Sequence, residues 1–137
     1  MRHIHTSIHS DIGSIDNKSI FQRRSTRAIA LRGDMILMLF TERYHDYTFP
    51  GGGLEEGEEA ILGMIRELEE ETGAKNIIDI KEFGIYEEYR PWYKTDFEIQ
   101  HMVSYCYTCT VDEELGDTDH EDHELNNGMK PGWINID

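Results

Sequence analysis

Two apolar runs of strand length, STRAIALRG and MILMLFTER, flank the polar pair Gly33-Asp34 near the start of the chain. Such runs joined by a short polar turn predict a β-hairpin. Their near-continuous apolar character predicts strands covered on both faces. HDYTFPGGG follows, a short strand that must end at Pro50 and the three glycines, because proline donates no ladder hydrogen bond and glycine permits unusual dihedrals. From about Glu58 to Thr72 the period changes: Ile61, Met64, Ile65 and Leu68 recur at i, i+3, i+4 and i+7, which predicts a helix with one apolar stripe. Glu55, Glu56, Glu58 and Glu59 cluster at its start, where the helix dipole favours negative charge, and Gly73 is placed to stop it.

NIIDIKEFGIYEEYR and FEIQHMVSYCYTCTV read as two long strands. The second alternates Phe97, Ile99, His101, Val103, Tyr105 and Tyr107 with Glu98, Gln100, Met102, Ser104 and Cys106, so each set belongs to one sheet face. RPWYKTD forms a loop between them, DEELGDTDHEDHELNNGMK a long acidic loop, and PGWINI a last short strand. Residues 1–20 are polar, with His3, His5 and His9 alternating with Ile4 and Ile8, and are expected to form a flexible amino-terminal arm or edge segment. Residues 21–137 then make a single domain of the α+β class.

The predicted helix carries the chemistry. At about 100° per residue, Glu67, Glu70 and Glu71 fall within an arc of about 100° on a face adjoining the apolar stripe. Three carboxylates crowded this way repel one another without a cation, and a hard ion such as Mg2+ or Mn2+ prefers such oxygen donors. Gly63 lies one turn before Glu67; it admits substrate, lets the preceding loop approach, or merely packs closely.

A length of 137 residues suits one domain with one core. The net charge of −15 argues against a broad basic surface for nucleic acid. No run approaches the roughly 20 apolar residues that cross a bilayer, and the amino terminus lacks an apolar signal core, so a soluble cytoplasmic protein without a membrane partner is expected. Cys106 and Cys109 sit in a strand, where residues three apart face opposite ways, and no second pair completes a zinc site. DTDHEDHELNNG fails as a calcium loop, because its sixth position is Asp122 and its twelfth Gly128. His120 and His123 in the same loop read as a solvated pair.

Read from Gly52, the segment is Gly, five residues, Glu58, seven residues, Arg66-Glu67-Leu68, one residue, Glu70-Glu71, one residue, Gly73 and Ala74. This resembles the Nudix box, with Ala74 a small stand-in for a bulkier aliphatic residue. The resemblance implies an α/β/α sandwich around a mixed β-sheet. It implies a metal-dependent pyrophosphohydrolase that cleaves a diphosphate bond in a nucleoside diphosphate linked to another moiety, or in a related small nucleotide. It also implies Glu70 and Glu71 as principal metal ligands and Glu67 as ligand or base. Gly51 would add a carbonyl ligand, and Glu121 or Glu124 a further carboxylate. Arg66 would orient the glutamates, and Gly52, Glu58 and Gly73 would serve structure.

Substrate selection must come from outside the box. Arg90, Trp92, Tyr93 and Lys94 offer stacking faces and positive charge, with Tyr47 and its neighbours Tyr44 and His45 a second set. Two other readings stay open: removal of pyrophosphate from an RNA 5′ end, which the net charge disfavours, and a non-catalytic ligand-sensing module, which the intact Arg66, Glu67, Glu70 and Glu71 disfavour. The family's usual further helix would begin where the chain stops, at Asp137. Unless that helix belongs to the natural chain beyond Asp137, the sheet face away from the box helix is expected to be covered by residues 1–20 or by a second copy in a homodimer.

Overall fold

The computed structural model describes residues 1–120, 124–125 and 128–136. Among them the elements run β1 (His3–Ile8), β2 (Ile20–Arg32), β3 (Met35–Thr41), β4 (Asp46–Thr48), β5 (Gly51–Gly53), α1 (Ala60–Thr72), β6 (Ile78–Pro91), β7 (Ile99–Thr110) and β8 (Met129–Asn135). Strand order is β1-β6-β7-β2-β3-β4, with β5 joined to β2 and β8 to β3. Pairs β1–β6 and β2–β7 are parallel and the others antiparallel, giving the expected mixed sheet. The hairpin forms as its pattern predicts, with Leu31 opposite Ile36 and Arg32 opposite Met35.

One face of the sheet packs on α1. Ala28, Ala30, Leu37, Tyr107, Cys109 and Val111 meet Met64 and Leu68 there, and both helix residues are fully buried. Burying each such side chain contributes about 1.5–3 kcal/mol. The apolar stripe is narrower than its period suggests. Ile61 is exposed, because Ala60, one turn before Met64, fills the core side of the first turn. The acidic start is also placed differently: Glu59 is the N-cap without a side-chain bond, no acidic residue lies in the first turn, and Glu58 turns to Arg66 instead. Gly73 ends the helix as expected. Its φ of 72° is left-handed, and its N–H donates to the Glu69 carbonyl.

The other face presents Arg23, Ser25 and Arg27 on β2 and Met102 and Ser104 on β7, and, further along, the half-buried Ile36, Met38 and Phe40 of β3, which point away from the core side taken by Leu37 and Leu39. Alternation along β2 had been masked by small apolar residues, Ala28 and Ala30, on the helix side. One expectation is corrected here: the amino-terminal strand does not lie across this face. β1 extends the sheet beside β6, where His3 Nε2 lies 3.0 Å from Glu87 Oε2 and His101 Nε2 lies 2.9 Å from Glu87 Oε1. Those contacts order a segment that its composition suggests is loose. Cys106 and Cys109 are free thiols. Among the described residues no helix is long and apolar enough to cross a membrane.

Candidate active site

Strand β5 consists of three glycines, and each meets a neighbour that a side chain would displace. Gly51 has φ 151°, which glycine alone adopts readily, and a Cβ there would run into the Thr26 carbonyl. A Cβ on Gly52 would lie 2.9 Å from the Glu67 carboxylate. On Gly53 it would lie 2.5 Å from an Arg23 guanidinium nitrogen. The bare strand thus brings an acid from α1 and a base from β2 close to its backbone. Gly63 serves the same approach from the helix side, since a Cβ there would clash with Leu54 and Glu58 of the preceding loop.

Arg66 organises one half of the acidic face. Its Nε and Nη2 each donate to a Glu58 oxygen at 3.0 Å, a two-pronged pairing that holds the Glu58 carboxyl below its usual range. Glu58 also accepts the Glu55 N–H at 3.0 Å, tying the turn to the helix. Arg66 Nη1 reaches Glu67 Oε1 at 3.1 Å and Glu70 Oε2 at 3.5 Å. This guanidinium answers part of the charge crowding expected of the box carboxylates. Burial still pushes the Glu67 carboxyl up, against the pull of Arg66.

Glu71 is handled differently. It is 3% exposed, and its Oε1 accepts the Gly51 N–H at 2.7 Å. Glu124, 7% exposed, shares a hydrogen bond with it, which requires a proton between the two carboxyls. Burial, then that bond, pushes the Glu71 carboxyl up to about 9. Glu124 is delivered by the loop after β7, which is strapped to the end of α1. Gly116 N–H donates to the Gly73 carbonyl, Asp119 N–H to Glu70 and His120 Nε2 to the Glu71 carbonyl. His120 is therefore tied to the backbone rather than solvated. Glu121 and His123 lie outside the described residues.

These groups open onto a cleft of about 430 Å³, within the size range of small-ligand sites, lined by Glu67, Glu71, Glu124 and the β5 glycines together with Arg23, Ser25 and Arg27. Among the described residues no three acidic or histidine side chains converge on one point: Arg66 draws Glu67 and Glu70, and Glu71 is held by Gly51 and Glu124. The donor set nevertheless fits a hard divalent cation. It is oxygen throughout, and its most buried member is a carboxyl whose shared proton a cation can replace. A larger hollow of about 600 Å³ beside the β2–β3 turn presents one carboxylate, Glu113, and lacks this set.

A family model, NUDIX domain, matches residues 21–137. The chain belongs to the NUDIX family. Human diphosphoinositol polyphosphate phosphohydrolase 2 is 31% identical over 105 residues, 76% of this chain and 51% of that protein. RNA pyrophosphohydrolase from Bartonella quintana is 44% identical over 57 residues, 42% of this chain and 30% of that one. The chain spans about half the length, or less, of these relatives. Among solved structures, a MutT protein from Bacillus halodurans has a TM-score of 0.64 at 23% identity, over 82% of this chain and 68% of that chain. A NUDIX hydrolase from Nitrosomonas europaea has a TM-score of 0.58 at 22% identity, over 85% and 74%. These likenesses establish the fold, a mixed sheet with the box helix against it.

Within this NUDIX domain the predicted residues separate into groups. Glu67, Glu71, Glu124, Gly51 and Gly52 line the cleft, while Glu70 is absent from its lining and turns to Arg66. Tyr47 packs on Phe40 away from the cleft, whereas its neighbours Tyr44, Asp46 and Thr48 line it. Trp92 stacks near Phe21 and Tyr93 and donates Nε1–H to Asp96. Arg90 is paired with Glu88 at 2.7 Å. Trp92 contacts Phe21, two residues from Arg23 on the same strand, so this patch sits beyond one end of the cleft. Trp92→Ala is expected to raise KM with little change in kcat, and Arg90→Ala to do less, since Glu88 already neutralises it. Steady-state kinetics check this, and a loss confined to kcat would contradict it. The basic residues that do line the cleft, Arg23 and Arg27, escaped the sequence reading. Their signal was the alternation of FQRRSTRA, with charge at every second position of one face.

Proposed function

We propose that this chain is a divalent-cation-dependent pyrophosphohydrolase acting on a diphosphate bond in a small nucleotide or a nucleoside diphosphate linked to another moiety. The observation that carries it is the buried Glu71, joined to Gly51 and Glu124 and set beside Glu67 in a cleft that also holds two arginines. Glu67, Glu70, Glu71, a carboxylate from the acidic loop (Glu124 or Glu121) and the Gly51 carbonyl would hold the cation, Mg2+ or Mn2+. When bound, such an ion neutralises phosphate oxygens and lowers the pKa of water. Arg66 and Glu58 keep the helix carboxylates in place. Glu67, with Oε1 engaged by Arg66, offers Oε2 to take the proton of the attacking water. Water adds to phosphorus, the bridging P–O bond breaks, and the departing phosphate carries the negative charge away.

Among substrates named for relatives, a diphosphoinositol polyphosphate carries more charge than two arginines match. An RNA end is supported by the 44% identity to an RNA pyrophosphohydrolase, but the net charge of −15 counts against it. A cytoplasmic location is part of this reading. A phosphate-release screen with Mg2+ over nucleoside triphosphates, sugar nucleotides, dinucleoside polyphosphates, diphosphoinositol polyphosphates and triphosphorylated RNA tests it. Release from a small nucleotide class that stops on adding EDTA is expected; release from none would overturn the reading.

A further inference from the structure

The hollow of about 600 Å³ beside the β2–β3 turn shares no lining residue with the cleft, and the hydrolase reading leaves it unused. Leu31 on its wall lies four strand positions beyond Arg27 of the cleft, roughly 13 Å along β2. The two spaces are therefore separate. Leu31, Met35 and Trp133 line the hollow with apolar surface, and Leu31 is left 36% exposed there. The indole is fixed in place. β8 pairs with β3 so that Trp133 stands opposite Leu37, it packs against the core, and its Nε1–H donates to the Glu113 carbonyl at 2.9 Å.

Arg32 brings positive charge to this hollow on a molecule of net charge −15. Its Nη1 donates to the carbonyl of the buried Val111 at 3.0 Å, which orients the guanidinium. Among the described residues Nε and Nη2 have no acceptor, and no ion pair joins Arg32 to Glu113 although both line the space. That edge of a guanidinium matches a planar carboxylate in two-pronged fashion.

We propose that this hollow is a second binding site, for a small ligand that joins a flat aromatic body to a single carboxylate. Trp133, Leu31 and Met35 take the ring by stacking and burial, and Arg32 takes the carboxylate. The Glu113 side chain turns away ligands of higher negative charge, since a second anionic charge would face it at close range.

A nuclear magnetic resonance titration tests this, with 2-naphthoate as the probe and 2-naphthamide, the same ring without the charge, as its control. 2-Naphthoate is expected to shift the Trp133 indole N–H signal with a dissociation constant on the order of 1 mM or tighter. 2-Naphthamide and the more highly charged 2-naphthyl phosphate should each bind about tenfold more weakly. Arg32→Gln should weaken 2-naphthoate by about the same factor and remove its preference over the amide, while Arg24→Gln changes nothing. Trp92→Phe assigns the two indole signals. The comparison of probes uses the unaltered chain, so it stands even where Arg32→Gln, which loses the Val111 bond, folds poorly. Equal affinity for acid and amide, tighter binding of the phosphate, no response at all, or a response confined to the Trp92 indole would overturn the proposal. None of these residues lines the cleft, so the result is independent of the phosphate-release screen.

Discussion

Replacing Glu71 by glutamine is expected to abolish cation-dependent turnover while making the cation-free fold more resistant to alkali. Losing an outer partner of a metal site lowers affinity or activity roughly 10–100-fold, and removing a buried carboxylate proposed as a ligand should exceed that. The stability effect has the opposite sign. Glu71 goes from an ordinary value of 4.5 up to about 9 in the fold, so the folded state holds its proton more tightly than the unfolded chain does. That contribution is complete below 4.5 and is lost as pH rises through 9. Glutamine removes the titration. Thermal melts in EDTA across this window should therefore fall with pH for the wild type and stay flatter for Glu71→Gln. Parallel slopes in the two proteins would contradict the burial argument.

Arg66→Ala should lower activity about 10–100-fold, the range for a partner that orients the groups doing the chemistry. Its guanidinium engages Glu58 through two nitrogens and Glu67 through a third, which a single ammonium cannot reproduce. Arg66→Lys should accordingly recover only part of the loss. The deficit should appear in Mg2+ affinity and kcat together, because Glu67 and Glu70 would then repel each other unscreened. If Arg66→Lys matches the wild type, charge alone matters and the fork geometry does not.

The hairpin, the box helix with its glycine stop and the two long strands were legible because each rests on a local signal: a period, a turn pair, a left-handed cap. The composition of the cleft was legible only in part. Glu67 and Glu71 could be placed from helical spacing, but whether a helix face meets a cleft depends on which strand lies beside it. That is why Glu70, on the same arc, ends up against Arg66 instead. Arg23 and Arg27 were hidden because β2 changes character midway, from charged alternation at Arg23 and Arg27 to small buried Ala28 and Ala30, and an average over the run reads as apolar. Tyr47 and Tyr44 show the same dependence on local geometry. Tyr47, inside the short strand β4, turns to Phe40, while Tyr44, in the turn before that strand, reaches the cleft wall.

The strap between the acidic loop and the end of α1 is made of main-chain N–H groups at Gly116 and Asp119, with one imidazole. Carboxylate side chains take no part in those three bonds. Architecture and charge are therefore separable in this loop. Asp117 and Asp119 could be neutralised, reducing the excess negative charge of the molecule, while the loop kept its grip on the helix and Glu124 its place beside Glu71. The grip of this loop on the helix is a main-chain property, and the charges of Asp117 and Asp119 are no part of it.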